Sequence, residues 1–389
     1  MFSGKITTKE SGKAMPLLRS RQATALRQWQ NTFSQEEKKM IRSKLFYLFS
    51  ALAVLALIIS ACGTAATEAP APTEAPKPTE PPPTKEPTAV PPTAVPEPTP
   101  VPLGSPEKPI IMAIAPSATT DELIASGDTI AKLLSDETGL TIQAVVPTNY
   151  KAMIEAMCSG NGQIGWLPPF AYLVAHETKT KDAAGAEVSC ADVAFITLRN
   201  GLDHYATQFI ARAQDGYTAG TDPSALKQFD GKKPCWTDPF SASGYVIPAS
   251  LLGQEGVKFK TAAFVQGHPT VVRAVYAGGI CDFGATFVDA RTNSAVQTDL
   301  PDVNDKVIVV YQTENIIPND TVGFAYDVPA ELRDTLTAAL DKVSKTEEGA
   351  AAMKKLYSID GLQAADDTFF DEFRVLLAAS GIDVASLVR

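Results

Sequence analysis

From residue 109 onward, short apolar runs alternate with segments whose apolar residues recur every three or four positions. The runs predict strands over 109–115, 140–146, 163–167, 191–198, 205–213, 232–236, 262–265, 280–285, 306–311 and 322–326. The periodic segments predict helices over 120–138, 150–158, 170–176, 223–229, 243–252, 269–277, 329–345, 347–357 and 366–380. Strands alternating with helices imply an α/β body with largely parallel sheets. No internal repeat of fixed period is present.

Upstream of this body the pattern is different. Residues 1–39 are polar and mixed, without an apolar period, and are assigned no fold. A basic stretch from Met40 to Lys44 then precedes 15 apolar or small residues over 45–59, too few for a comfortable membrane span. Residues 40–61 therefore read as a signal peptide, with Met40 well placed to be the start. The tetrad Ile59-Ser60-Ala61-Cys62 resembles a bacterial lipobox, which implies a lipid anchor at Cys62. Residues 62–104 hold 14 of the chain's 29 prolines, between Pro70 and Pro102. Such a linker cannot bury enough apolar surface to fold. Its extended reach, at about 3.1 Å per residue, is on the order of 130 Å.

Charge narrows the partners. The 389 residues carry 34 Lys and Arg against 44 Asp and Glu; ten and three of these precede Cys62, leaving 24 against 41 and a net charge of −17. A body that acidic is unsuited to nucleic acid or an anionic membrane surface. An anion would have to be held by a local array of N–H and hydroxyl donors. Beyond Cys62 lie Cys158, Cys190, Cys235 and Cys281. Four cysteines in an exported chain suggest two disulfides with three connectivities open, or free buried thiols. Pairing Cys158 with Cys190 and Cys235 with Cys281 keeps each bridge in one half and is preferred.

The candidate chemistry centres on Thr237-Asp-Pro-Phe-Ser-Ala-Ser-Gly-Tyr-Val-Ile-Pro248, between a predicted strand and a predicted helix. Ser241, Ser243 and the free N–H groups of the first helical turn would converge there, as a helix start binds an anion. His268 likewise lies between a strand and a helix, where side chains reach a cleft. Gly160-Asn-Gly-Gln-Ile-Gly165 matches G-x-G-x-x-G but follows a helix and enters a strand, the reverse of a dinucleotide fold. Neither an H-E-x-x-H pair nor a G-x-S-x-G elbow occurs, so hydrolase and metalloenzyme readings lack parts. No catalytic residue, metal or cofactor is expected.

Taken together, the residues from Met112 to Leu387 resemble the phosphonate-binding family of ABC-importer substrate-binding proteins, of the type II periplasmic-binding-protein fold. The features that carry the resemblance are Tyr150 opening Tyr-Lys-Ala-Met-Ile-Glu-Ala-Met, Gln163-Ile-Gly-Trp166, Asp238 to Pro248, Gly267-His268, Cys281-Asp-Phe-Gly-Ala285 and Ile317-Pro-Asn-Asp320. The resemblance implies two Rossmann-like lobes, 105–208 with 321–389 and 212–315, joined by a two-crossing hinge. It implies a non-enzymatic, monomeric, extracytoplasmic lipoprotein that hands a small phosphorus oxyanion to a membrane permease. Tyr150, Ser241, Ser243 and His268 match the positions that hold the oxyanion, and Trp166, Tyr205 and the backbone of Ala242 are expected to line the ligand site with them. Asp289 and Asp320 match those that hold an ammonium, as in 2-aminoethylphosphonate. Ala242 replaces a family threonine, and Leu167 stands where an aromatic is common; Tyr172 or Tyr205 could compensate. Phosphite, phosphate or a ligand-presenting sensory role for a membrane kinase are the alternatives.

Overall fold

The computed structural model describes residues 101–118 and 120–384, which lie within one compact unit. The 1–39 segment, the signal peptide, Cys62 and all but the last four residues of the linker lie outside the described residues. The folded body starts slightly before 105, because Gly104 donates to Lys108 O (2.8 Å) and accepts from Thr141 N (2.7 Å).

The strands are β1 Ile110–Ile114, β2 Ile142–Val145, β3 Ile164–Leu167, β4 Lys179–Lys181, β5 Glu187–Ser189, β6 Ala191–Leu198, β7 His204–Tyr205 and β8 Thr207–Arg212. They continue with β9 Pro234–Trp236, β10 Ala263–Phe264, β11 Phe283–Phe287, β12 Val307–Gln312, β13 Ile317–Pro318, β14 Thr321–Ala325 and β15 Gly361–Ala364. One sheet is ordered β15-β6-β14-β3-β1-β2 and the other β10-β9-β11-β8-β12. Between them the ribbon β7–β13 pairs Tyr205 with Ile317 and His204 with Pro318, so the two crossings are hydrogen-bonded to each other.

Two expectations are corrected here. The sheets are mixed rather than largely parallel: β14 runs antiparallel to β3 and β6, β15 to β6, and β8 to both β11 and β12. The strands β6, β8, β12 and β14 adjoin the crossings, so helical crossovers do not set their direction. The expected strand over 205–213 is broken at Ala206; β8 pairs wholly within the second sheet, which therefore begins at Thr207 rather than 212.

Strand alternation sorts the first core into two faces. On one face Ile110, Met112 and Ile114 of β1, with Ile164 and Trp166 of β3, pack against Leu123, Ile130 and Leu134 of the helix Thr120–Thr138 and against Leu336, Leu340 and Met353. The opposite face carries Ala113 and Leu167 against Tyr150, Met153, Met157, Phe170 and Leu173. At Gly165 the helix Tyr150–Cys158 comes so close that a Cβ would stand 2.4 Å from Met157 Sδ. A larger residue there would push the helix, and Tyr150 with it, off the sheet.

The second lobe reaches the same cluster. Ala242, Val246 and Ile247 pack into it, and Phe240 stacks on Phe170 with ring centroids 6.5 Å apart. Disulfides join Cys158 to Cys190 and Cys235 to Cys281, each within one lobe. The hairpin β4–β5 and the strand β15 are additions to the predicted elements.

Candidate functional site

The turn after β9 is built by its own side chains. Asp238 Oδ1 accepts from Phe240 N (2.8 Å), and Ser241 Oγ caps the next turn by accepting from Gly244 N (3.1 Å). Ala242–Val246 then wind as a π-helical turn into the helix Ile247–Gln254, where a regular helix from 243 was expected. Ser241 O accepts from both Tyr245 N and Val246 N (3.2 and 3.0 Å). The Ala242 and Ser243 N–H groups meet no acceptor among the described residues, as is usual at a helix start. The Ser241 hydroxyl accepts in its cap and keeps its own hydrogen for donation. Gly244 makes the turn possible, since a Cβ there would lie 1.9 Å from Thr237 Oγ1.

Three further candidate donors are Tyr205, Tyr150 and His268. Tyr205 lies with its hydroxyl beside the Ser243 side chain. Tyr150 begins the helix Tyr150–Cys158, which Asn149 caps by accepting from Ala152 N (2.8 Å). Burial, reinforced by Asp238 for Tyr150 and by Asp320 for Tyr205, pushes both phenols up, so both keep their protons. His268 is buried at the start of the helix His268–Ala277, and its Nδ1 accepts from Phe287 N (3.2 Å). The proton of the neutral ring is therefore on Nε2. Burial, helped by the charge of Arg199, holds this imidazole down to about 3, so the ring is neutral.

The lobes also bond directly to each other. Asp238 Oδ2 accepts from Tyr150 N (3.2 Å), and Ser117 O accepts from His268 N (3.3 Å). Burial raises the Asp238 carboxyl, although the two N–H groups it accepts from work against that rise.

Four residues of this region were not singled out from the sequence. Arg199, just beyond β6, pairs through Nη2 with Asp320 Oδ2, donates from Nε to Tyr357 O (2.8 Å), and lies with Cζ 5.7 Å from the Tyr205 ring centroid. Tyr357 donates to Ala115 O and lies beside Ser117. Asp238 stood inside the Thr237–Pro248 stretch without a role. Arg199 and Ser117 follow the carboxyl ends of β6 and β1, where open α/β sheets place ligands. Tyr357 ends an amphipathic helix and carries no such signal.

Other expected positions fall elsewhere. Trp166 is wholly buried on the sheet face opposite Tyr150, packed against the helix Thr120–Thr138, so it is a core residue rather than a cleft residue. Asp289 is gripped by Arg291 (Nε–Oδ1 3.0 Å, Nη2–Oδ2 2.6 Å) and by Gln208 Nε2 (2.8 Å). Burial works against its charge, yet these partners hold it below the usual carboxylate range. Asp320 pairs with Arg199 through Oδ2 alone. Leu167 is buried in the core, and Tyr172 donates to Asp367 (2.9 Å) instead of compensating for it; Tyr205 is the phenol beside the turn. Ala242 is buried and contributes only backbone.

Among the described residues no group of three or more His, Cys, Asp or Glu is placed to hold a metal ion, and no helix is long and apolar enough to cross a membrane. A family profile described as ABC transporter, phosphonate, periplasmic substrate-binding protein matches residues 112–370. The phosphate-import protein PhnD of Mycolicibacterium smegmatis is 32% identical over 194 residues, 47% of this chain and 56% of that protein. The chain thus spans just over half the length of that curated relative. Among solved structures, PhnD1 from Prochlorococcus marinus in complex with methylphosphonate gives a TM-score of 0.60 at 15% identity, covering 69% of this chain and 96% of that one. A binding protein component of an ABC phosphonate transporter from Pseudomonas aeruginosa gives 0.58 at 18% identity, covering 69% and 84%. The fold is that of the type II periplasmic binding proteins, and the chain belongs to the phosphonate family of periplasmic substrate-binding proteins of ABC transporters, a family of transport components rather than enzymes.

Proposed function

We propose that this protein captures a small phosphorus oxyanion between its lobes and delivers it to a membrane permease, held outside the cell membrane by a lipid on Cys62. What supports this reading is the Ala242–Val246 turn, with two N–H groups that meet no acceptor among the described residues, the Ser241 and Ser243 hydroxyls and the Tyr205 phenol beside Ser243; the protonated Tyr150 and neutral His268 are proposed to complete the donor set. Neutral donors suit an anion inside an acidic body, because their attraction is short-ranged and each bond is charge-assisted. The engagement of both Asp289 oxygens by Arg291 and Gln208 favours a ligand without an amine, such as methylphosphonate, phosphite or phosphate.

Calorimetric titration with these three compounds and 2-aminoethylphosphonate tests the proposal. At least one should bind at micromolar concentration or tighter, without strong preference for the amine. Ser241→Ala with Ser243→Ala should weaken binding by at least about a hundredfold, as expected for two hydrogen bonds to a charged group. Failure of all four compounds to bind, or an unaffected double variant, would refute it.

A further inference from the structure

Arg199 and Asp320 lie where the lobes and the hinge meet. Arg199 follows β6, while Asp320 lies between the hinge strand β13 and β14, 121 residues away in sequence. The guanidinium has five N–H bonds; Nε–H goes to Tyr357 O, and one from Nη2 goes to Asp320. Neither N–H of Nη1 meets a protein acceptor among the described residues. On the other side of the pair, Asp320 Oδ1 makes no hydrogen bond among the described residues and is not sealed by them from solvent. The pair thus presents one donor edge and one acceptor atom. Arg199 Cζ lies 5.7 Å from the Tyr205 ring centroid and its Nε donates to Tyr357 O, which puts the pair beside the phenol that adjoins Ser243; Tyr150, Tyr205 and Tyr357 also feel the charge of Asp320, and His268 that of Arg199.

A carboxylate oxygen among donors is repelled by a fully ionised ligand oxygen but accepts from a ligand hydroxyl. We propose that Arg199 and Asp320 together read the P–OH of a singly ionised phosphorus acid, Arg199 donating from Nη1 to one ligand oxygen and Asp320 accepting the hydroxyl on Oδ1. This rests on the oxyanion reading above and adds to it the protonation state of the ligand. The role differs from that of an ammonium site, since the pair is internally neutral and needs no cation from the ligand.

The ligand's own ionisation supplies the test. Burial pushes Tyr150, Tyr205 and Tyr357 up and His268 down to about 3, so these groups keep one state between about pH 5 and 9. Asp360, which accepts from Asn200 N, is held ionised by Lys354. His204, next to Tyr205 on β7, is paired with Asp203 at 2.8 Å.

Methylphosphonate binding by the unaltered protein should therefore weaken by about tenfold per pH unit once the pH exceeds the ligand's second pKa. Methanesulfonate has the shape and single charge of the bound form but no hydroxyl, and should bind at least about a hundredfold more weakly. In Asp320→Asn the carboxamide can donate, so the sulfonate should gain and the pH dependence should flatten. Arg199→Gln should weaken methylphosphonate at every pH, and the double variant Arg199→Gln with Asp320→Asn controls for an unpaired buried charge. Affinity that rises as methylphosphonate becomes a dianion, or equal binding of the sulfonate by the unaltered protein, would overturn the assignment while leaving phosphorus-oxyanion capture standing. If no phosphorus oxyanion binds at all, both fall.

Discussion

Replacing Gly244 by alanine tests the turn on which the site is built. The new Cβ would lie 1.9 Å from Thr237 Oγ1, 2.6 Å from its Cγ2 and 2.8 Å from its Cβ. Rotating Thr237 could relieve the first two contacts but not the third, which lies on the chain's fixed frame. The start of the helix must therefore back away from β9 by several tenths of an ångström or more. Forced overpacking of this kind costs about 1–3 kcal/mol, on the order of 5 °C in melting temperature for a body of this size. The same shift moves the Ala242 and Ser243 N–H groups off the ligand, so affinity should fall at least about tenfold, the equivalent of about 1.4 kcal/mol. Thermal unfolding and calorimetric titration measure the two effects separately. Thr237→Ala in the same chain removes Oγ1 and Cγ2, and should recover part of both. An alanine variant with unchanged melting temperature and affinity would show that the turn does not depend on this contact.

Acid should destabilise the protein through His268. The unfolded ring protonates near pH 6.5, whereas the folded ring does so at about 3. Its contribution is whole above pH 6.5 and is lost at about 1.4 kcal/mol per pH unit as the pH falls toward 3; denaturant titrations from pH 7 to 4 should show this slope, and His268→Gln should reduce it. Reducing the disulfides, which close loops of 32 and 46 residues, should cost about 4 kcal/mol each by chain entropy. Denaturant midpoints of Cys158→Ala/Cys190→Ala and Cys235→Ala/Cys281→Ala pairs check this; unchanged midpoints would refute it.

Much of the fold was legible because it follows local periodicity. The helices Thr120–Thr138 and Tyr150–Cys158 occupy the predicted spans, since their apolar spacing and, for the second, the Asn149 cap are local signals. The hairpin β4–β5 was missed because Lys-Thr-Lys and Glu-Val-Ser are short and mostly polar. Strand direction was misjudged because it depends on where the chain crosses the hinge, which no local pattern records. At the site, Ser241, Ser243 and His268 stand out in the sequence because each sits where a strand gives way to a helix, whereas the π-helical winding depends on how Gly244 meets Thr237. The position of Asp320 was noticed but not its partner, since Arg199 lies 121 residues away. Asp289 had the nearer clue: Arg291 stands two residues on, and their pairing explains the aspartate without a ligand.

The contacts between the lobes bear on how a ligand can act. Tyr150 N to Asp238, His268 N to Ser117 and the Phe170–Phe240 stack all join the lobes through protein atoms. Closure therefore does not draw all its stability from the ligand, and a ligand shifts the equilibrium only by its difference in affinity for the two forms. Tyr150 comes from the first lobe, and Ser241, Ser243 and His268 from the second, so an oxyanion bound as proposed would meet all these donors only when the lobes are together. Under that proposal the difference in affinity would be large even though each donor is neutral and individually modest. An acidic body can in this way hold an anion firmly without a positive field to draw it in.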